Sequence, residues 1–136
     1  MNWIRITKTF ADFSFAGLTN NIEIYSLPAG ASLHSAIMKH STSFGGGAIA
    51  TYTMSVGIIG DLTKYSYATT FDVFQAVSDI ALFPYPPPAR SLLATGIEDW
   101  GSVKSIRGSA ISTGANLDQA VAGVIEYYLL VSQIRT

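Results

Sequence analysis

The chain has 136 residues, with eight basic and nine acidic side chains, a formal net charge of −1 and no cysteine. The basic residues are scattered along the sequence, which excludes the clustered positive patch that an electrostatic nucleic-acid interface needs. The lack of cysteine excludes disulfides and thiolate metal sites. Charged residues make up only 12% of the chain, so we expect a surface rich in Ser, Thr and Gly, or one covered in part by another protein. The length predicts a single domain over residues 1–136.

The apolar segments are too short to indicate a membrane partner. The first ten residues, MNWIRITKTF, contain no apolar run of the kind a signal peptide has. The most apolar segment near the end, VIEYYLLVSQI, is about half of a bilayer-spanning length and contains Glu126. We therefore expect a soluble protein, and the lack of cysteine suits synthesis in a reducing cytoplasm.

Alternation with a period of two dominates the sequence and is broken by turn residues, which is typical of β-strands. Residues 12–15 are an optional extension of the first strand, 17–21 a turn, 41–47 a flexible hairpin connection and 67–77 an ambiguous segment. Residues 84–90, PYPPPAR, predict an edge or surface loop because proline cannot donate to a β-ladder. The segment TGANLDQAVAG predicts a loop with one helical turn. The predicted strands are residues 3–10, 22–27, 31–40, 48–59, 80–83, 91–95, 102–112 and 124–134.

Three of these strands carry patterns that assign their faces. In residues 48–59 hydroxyl residues alternate with an apolar row, and that row predicts the core face. Residues 31–40 place Leu33 and Ile37 on one face. The last strand is apolar on both faces, so it is either central in a sheet or covered by a neighbouring subunit. The apolar row of residues 48–59 consists of Ala48, Ala50, Tyr52, Met54, Val56 and Ile58.

Short strands separated by regular turn signals favour an all-β fold made of one antiparallel β-sandwich. The number of strands, about eight, favours the jelly-roll type. An immunoglobulin-like sandwich is the alternative that the same pattern allows.

No arrangement of side chains predicts catalysis. His34 and His40 fall on the same face of a predicted strand, about 20 Å apart, and no other histidine exists to complete a metal site. The sequence has no calcium loop, phosphate-binding glycine loop or nucleophile motif. Glu98 and Asp99, next to Trp100, resemble a glycosidase acid pair, but a solvated turn is the commoner reason for such a cluster. We expect no enzyme activity, no metal and no cofactor.

Aromatic residues in the predicted loops leave a binding function open. Such rings bind sugars and protein partners about equally well, and they also pack loops onto the ends of a sandwich. A sugar-binding β-sandwich is therefore an alternative to a purely structural protein. These loop aromatics are Phe44, Tyr65, Tyr67, Phe83, Tyr85 and Trp100.

Two motifs resemble a known group of proteins. The run GSAISTGANLDQAVAGVIEYYLLVSQI, residues 108–134, resembles the C-terminal part of small proteins encoded in tailed-phage genomes, in which an STGANLD loop leads to a final apolar strand. The run KHSTSFGGGAIATYTMSVGI, from Lys39 onward, is similar to the central motif of the same group. The two runs cover about a third of the chain.

The resemblance implies a virion structural protein, most plausibly a β-sandwich that decorates or cements the phage head as a homotrimer. Its implied partners are the major capsid protein or other virion proteins, and it implies no catalytic residues. A tail, fibre or connector role stays open. Three loops are then candidate contact regions, and the candidate interface residues in them are Phe44, Gly45, Gly46, Gly47, Tyr85, Pro86, Pro87, Trp100, Asn116, Leu117 and Asp118.

Overall fold

In the computed structural model, the described residues are 2–63, 71–74, 80–84 and 103–133. They form eight β-strands and two short 3₁₀ helices, Phe10–Phe13 and Leu117–Gln119. The strands are β1 (Asn2–Thr9), β2 (Thr19–Leu27), β3 (Ala31–Gly45), β4 (Thr51–Gly57), β5 (Phe71–Asp72), β6 (Ile80–Pro84), β7 (Lys104–Thr113) and β8 (Ala122–Gln133).

The strands pair into two antiparallel sheets of four strands each. The first sheet has the order β1-β8-β3-β6 and the second the order β2-β7-β4-β5. Neighbours in space are therefore rarely neighbours in sequence, and the chain crosses repeatedly from one sheet to the other. This arrangement of eight strands in two sheets is a jelly roll, which confirms the predicted all-β sandwich.

The core lies between the two sheets and is lined by alternate residues of each strand. In β4, Tyr52, Met54 and Val56 are fully buried, as the alternation predicts. Ala48 and Ala50 were assigned to the same row, but both are exposed and lie before the strand begins. The buried residue in that segment is Ile49, because the period-two pattern applies only from Thr51 onward.

The last strand is central in the first sheet, between β1 and β3. Every second residue of β8 from Ile125 to Val131 faces the core and is buried, and the residues between them are half-buried on the other face. The first of the two alternatives for this strand, a central position in a sheet, is therefore confirmed.

The connection after β1 is helical rather than extended. Residues 12–15 were predicted to lengthen β1, but Phe10–Phe13 forms a 3₁₀ helix. Asp12 explains the difference, because its Oδ2 accepts a hydrogen bond from the Thr9 backbone N–H at 2.8 Å and so caps the helix. Phe13 is thereby turned into the core, where it is fully buried.

Several other boundaries differ from the prediction. The predicted turn at 17–21 is shorter, because β2 already begins at Thr19. The predicted hairpin connection at 41–47 is mostly strand, because β3 continues to Gly45. Within the ambiguous segment, Phe71–Asp72 is a strand. The predicted strand at 91–95 and the proline loop beyond Pro84 lie outside the described residues.

Strand β3 contains the largest error in the predicted faces. Leu33 faces the core as predicted, but Ile37 does not; the buried residues after Leu33 are Ala36, Met38 and His40. The pairing of β3 with β8 shifts between Leu33 and Ser35, which marks a β-bulge with one extra residue. Such a bulge moves every later side chain to the opposite face.

Candidate interaction surfaces

The described residues contain no group of three His, Asp or Glu side chains that could hold a metal ion. No helix among them is long and apolar enough to cross a membrane. The two histidines were predicted to share a face of β3, but the bulge separates them. His34 is half-buried and its Nε2 contacts Ser132 Oγ, whereas His40 is buried on the core side.

Two tyrosines occupy the centre of the sandwich, one from each sheet. The Tyr127 hydroxyl donates to Met54 Sδ at 3.8 Å, while the Tyr52 hydroxyl is buried without a hydrogen-bond partner among the described residues. Burial raises the pKa of both phenols above their ordinary value, and the nearby Tyr52 phenol raises the pKa of Tyr127 further. Both side chains must therefore be neutral for the chain to stay folded.

We expect the folded chain to lose stability above about pH 10, the ordinary tyrosine pKa. The pKa values are raised on folding, so the unfolded chain releases these protons first and stability is unaffected below that pH. Above it, each tyrosine lowers the free energy of unfolding by up to about 1.4 kcal/mol per pH unit. Urea unfolding at a series of pH values measures this slope. Tyr52→Phe should remove roughly half of it, and an unchanged slope in that variant would contradict the assignment.

Three of the connections between strands lie at the same end of the sandwich, which we call the loop end. It is formed by the β1–β2 connection, the β3–β4 connection and the β7–β8 connection, residues 10–18, 46–50 and 114–121. These segments are distant in sequence, but the strand order brings them together. Two of the three segments, those around Gly46 and around Asn116, were predicted as contact loops.

Backbone hydrogen bonds join these connections into one surface. The Leu117 N–H donates to the Gly17 carbonyl at 2.9 Å, and the Asp118 N–H donates to the Phe15 carbonyl at 3.0 Å. The Val121 N–H donates to the Gly45 carbonyl at 2.9 Å. Because the β7–β8 connection is bonded both to the β1–β2 connection and to the end of β3, the loop end presents a defined shape to a partner.

The loop end exposes three large apolar side chains: Phe15 is 53% exposed, Leu18 49% and Val121 71%. Sequence analysis missed all three. Phe15 and Leu18 flank the small residues Ala16 and Gly17 in a turn, which is the one signal that singles them out. Exposed apolar residues grouped beside polar ones are typical of protein contact surfaces.

The predicted interface residues fall into four groups. Phe44 and Leu117 are fully buried, so they are corrected to core residues: Phe44 extends β3 and stacks on Tyr52 with ring centroids 5.1 Å apart. Gly45 is the last residue of β3. The residues that do lie at the loop end are Gly46, Gly47, Asn116 and Asp118, and those outside the described residues are Tyr85, Pro86, Pro87 and Trp100.

The outer face of the first sheet is a second candidate surface. Trp3 on β1 is 52% exposed and lies opposite Leu130 of β8. Next to this pair, Tyr128 of β8 lies opposite Arg5 on one side and Ile37 on the other. A Trp, a Tyr and an Arg on one face form the composition that dominates binding energy in protein interfaces.

The hydroxyl residues of β4 lie on the outer face of the second sheet. Thr51 is exposed, but Ser55 is buried because residues 58–62 fold back over it. The Ser55 Oγ donates to the Leu62 carbonyl at 3.0 Å, and Gly57 is so close to this segment that a Cβ would lie 2.2 Å from the Asp61 carbonyl oxygen. Part of the hydroxyl face therefore makes contacts within the monomer and is covered from a partner.

Comparison with known proteins shows the fold. No protein-family model matches the sequence, and no curated protein matches it, so the resemblance of the STGANLD run to tailed-phage proteins stays a prediction. The structure is similar to a chain of the cyanophage Pam1 capsid asymmetric unit, with a TM-score of 0.54 and 14% sequence identity over 98% of this chain and 84% of that chain.

Two further similarities are weaker. A chain of the Helicobacter pylori bacteriophage KHP30 capsid gives a TM-score of 0.45 at 18% identity, covering 100% of this chain and 95% of that one. A chain of Triatoma virus gives 0.33 at 12% identity, covering 96% and 63%. The similarity to the cyanophage chain extends over nearly the whole of this one, and it shows that the two share the two-sheet jelly-roll fold.

Proposed function

We propose that this chain is a structural protein of a phage virion, and specifically a decoration or cement subunit that binds and stabilises the head. The observation that carries the proposal is the jelly roll itself, which matches a chain of a cyanophage capsid over 98% of its length. The phage-like motifs of residues 39–58 and 108–134 point in the same direction. On this proposal the protein is made in the cytoplasm of the host and is located in the virion.

The described surfaces support a role in which the chain makes contacts and does no chemistry. Among the described residues, the buried titratable side chains are His40, Tyr52 and Tyr127, and three of the six exposed large apolar side chains, Phe15, Leu18 and Val121, lie at the loop end. Among the described residues of that end, only Asp12 and Asp118 are charged. An interface with so little charge avoids the desolvation cost of burying ions.

We assign the loop end to the contact with the major capsid protein and propose a homotrimer as the unit that binds. Three copies held together bind a symmetric capsid site with avidity, so each single contact need not be strong. Phe15, Leu18 and Val121 are the residues expected to carry most of the energy of that contact, because large apolar side chains contribute more when they are fully buried.

Val121→Asp should weaken binding to capsids by about tenfold or more, since an unpaired charge would be buried in the contact. Val121 is 71% exposed, so the substitution should leave the folded chain itself stable. The measurement is co-sedimentation of the purified variant with capsids that lack the protein, followed by a heat-stability assay of the particles.

Ile59→Asp is the matched control for this experiment. Ile59 is 70% exposed and lies in the turn after β4, at the opposite end of the sandwich. We expect its capsid binding to equal that of the unaltered chain. Equal loss in the two variants, or no loss in either, would remove the loop end as the capsid contact.

A further inference from the structure

Among the described strands, four lie at the edges of the two sheets, and three of these carry features that prevent further pairing. Strand β2 is interrupted by a register shift between Glu23 and Tyr25. Strand β5 has two residues, and β6 has five and ends at Pro84, which has no N–H to donate. Bulges, short length and proline are the usual means by which proteins protect a sheet edge.

Strand β1 lacks these protections. Its residues Asn2–Thr9 pair with β8 in one unbroken register, and no described strand pairs with its other side. Ile4 and Ile6 pack against the core but stay partly exposed, whereas Ile125 and Leu129, on the core side of β8, are fully buried. A strand added at this edge would complete the burial of both isoleucines.

The charges of β1 also permit a partner strand. Arg5 is paired with Glu126 of β8, and Glu126 also accepts from the Tyr128 hydroxyl at 3.3 Å. The middle of the edge therefore presents no uncompensated charge. Lys8, near the end of the strand, is the one charge on the core-side row, and it limits where a partner strand can lie.

We propose that a second copy of this chain pairs with β1, so that two first sheets join into one continuous antiparallel sheet across a two-fold axis. This contact is distinct from the one that would hold the proposed homotrimer, and it would join a copy in one trimer to a copy in another. A second copy fits because β1 is complementary to itself in one register. Residues directly opposite each other must lie on the same face of a continuous sheet. The register centred on Ile6 then places Arg5 opposite Thr7 and Lys8 opposite Ile4 of the other copy.

The alternative registers are less favourable. The one centred on Arg5 places the two Arg5 side chains directly opposite each other, and like charges in that position are destabilising. Registers centred on Ile4 or Thr7 pair a shorter part of the strand. Pairing around Ile6 uses the strand from Trp3 to Thr9 without opposing like charges.

Single-cysteine variants test this register, because the chain contains no cysteine of its own. Under mild oxidation Ile6→Cys should form a covalent dimer of two 14.5 kDa chains, since cysteines opposite each other lie within disulfide reach. Ile4→Cys is the control from the same row of β1. The register separates the two Ile4 positions by about 14 Å, so this variant should stay monomeric on a non-reducing gel.

Equal cross-linking of both variants would mean random collision and would overturn the proposal, as would the absence of a dimer from a folded Ile6→Cys chain. Amide hydrogen exchange on the unaltered chain is an independent measurement. The β1 amides that point away from β8 should lose protection on about a hundredfold dilution, while those bonded to β8 keep it; protection of the edge-facing amides that is independent of concentration would contradict the pairing. Neither result depends on capsid binding, so the failure of one proposal does not decide the other.

Discussion

Leu129→Asp should prevent the chain from folding. Leu129 is fully buried in the middle of β8, between β1 and β3, and no cation lies on its core-side row of that strand. Removing the leucine side chain alone costs about 2–5 kcal/mol, and an uncompensated charge in its place adds several kcal/mol more. The sum is comparable with the stability of a typical domain, about 5–15 kcal/mol. Circular dichroism and size-exclusion chromatography of the purified variant measure the loss.

Leu130→Asp is the control, one residue further along the same strand. Leu130 is half-buried on the outer face of the first sheet, where water can solvate a carboxylate. This variant should fold with a loss of roughly 1 kcal/mol. If Leu129→Asp folds as well as Leu130→Asp does, the two faces of β8 have been assigned wrongly.

Gly123→Ala should have the second-largest effect. Gly123 has a φ of +143°, and a Cβ at this position would lie 2.3 Å from Cδ2 of the Phe44 ring. Phe44 cannot move away freely, because it packs against Phe13 and Tyr52. We expect a loss of about 3 kcal/mol or more, from the strained backbone together with the overpacked core, measured as a lower midpoint of urea unfolding.

Gly60→Ala separates these two causes. Gly60 also has a positive φ, +94°, but nothing lies within 4 Å of where its Cβ would be. The expected loss is about 1 kcal/mol, the cost of the backbone conformation alone. Equal losses in the two variants would mean that Phe44 does not pack on Gly123.

The elements that sequence could predict are those in which a local pattern decides the outcome. In β4 the alternation of apolar and hydroxyl residues matches the pleat of the strand, so the core-facing residues from Tyr52 to Val56 follow from spacing. In β8 the apolar residues on both faces predict a strand that is central in its sheet. The short helix at Leu117–Gln119 likewise fits a segment that was predicted as a loop with a helical turn. Each of these features depends on neighbouring residues in the chain.

Local sequence patterns could not predict the β-bulge or the packing of side chains between strands that are distant in sequence. The bulge at His34 follows from how β3 pairs with β8, and no residue near His34 signals it. Phe44 was assigned to a flexible loop because three glycines follow it, yet packing on Gly123 makes it part of the core. In both cases a strand distant in sequence decides the structure.

The candidate contact surface could likewise be predicted only where neighbouring residues in the chain determine it. Sequence analysis predicted two of the three loops at the loop end as contact loops. It could not predict that they lie side by side, because the strand order of the two sheets brings them together. It also assigned Leu117 to the interface, although an apolar residue in a turn often anchors the loop to the core. The hydroxyl face of β4 was predicted correctly up to Ser55, which the segment from Ile58 to Leu62 covers.

The sugar-binding alternative depends mainly on Tyr85 and Trp100, which lie outside the described residues. It predicts that Trp100→Ala abolishes binding to host glycans and leaves capsid stability unchanged. The proposed decoration role predicts the opposite dependence, in which substitutions at the loop end change particle stability. The two functions are therefore distinguishable with the same purified variants.

Electron microscopy of purified phage particles tests the central proposal most directly. Images of complete particles, compared with particles assembled without this protein, should show additional density on the outside of the head, large enough for copies of a 14.5 kDa jelly roll and arranged around symmetry axes. Heads with identical density in the two preparations, or particles that contain no copy of the chain, would contradict the proposal.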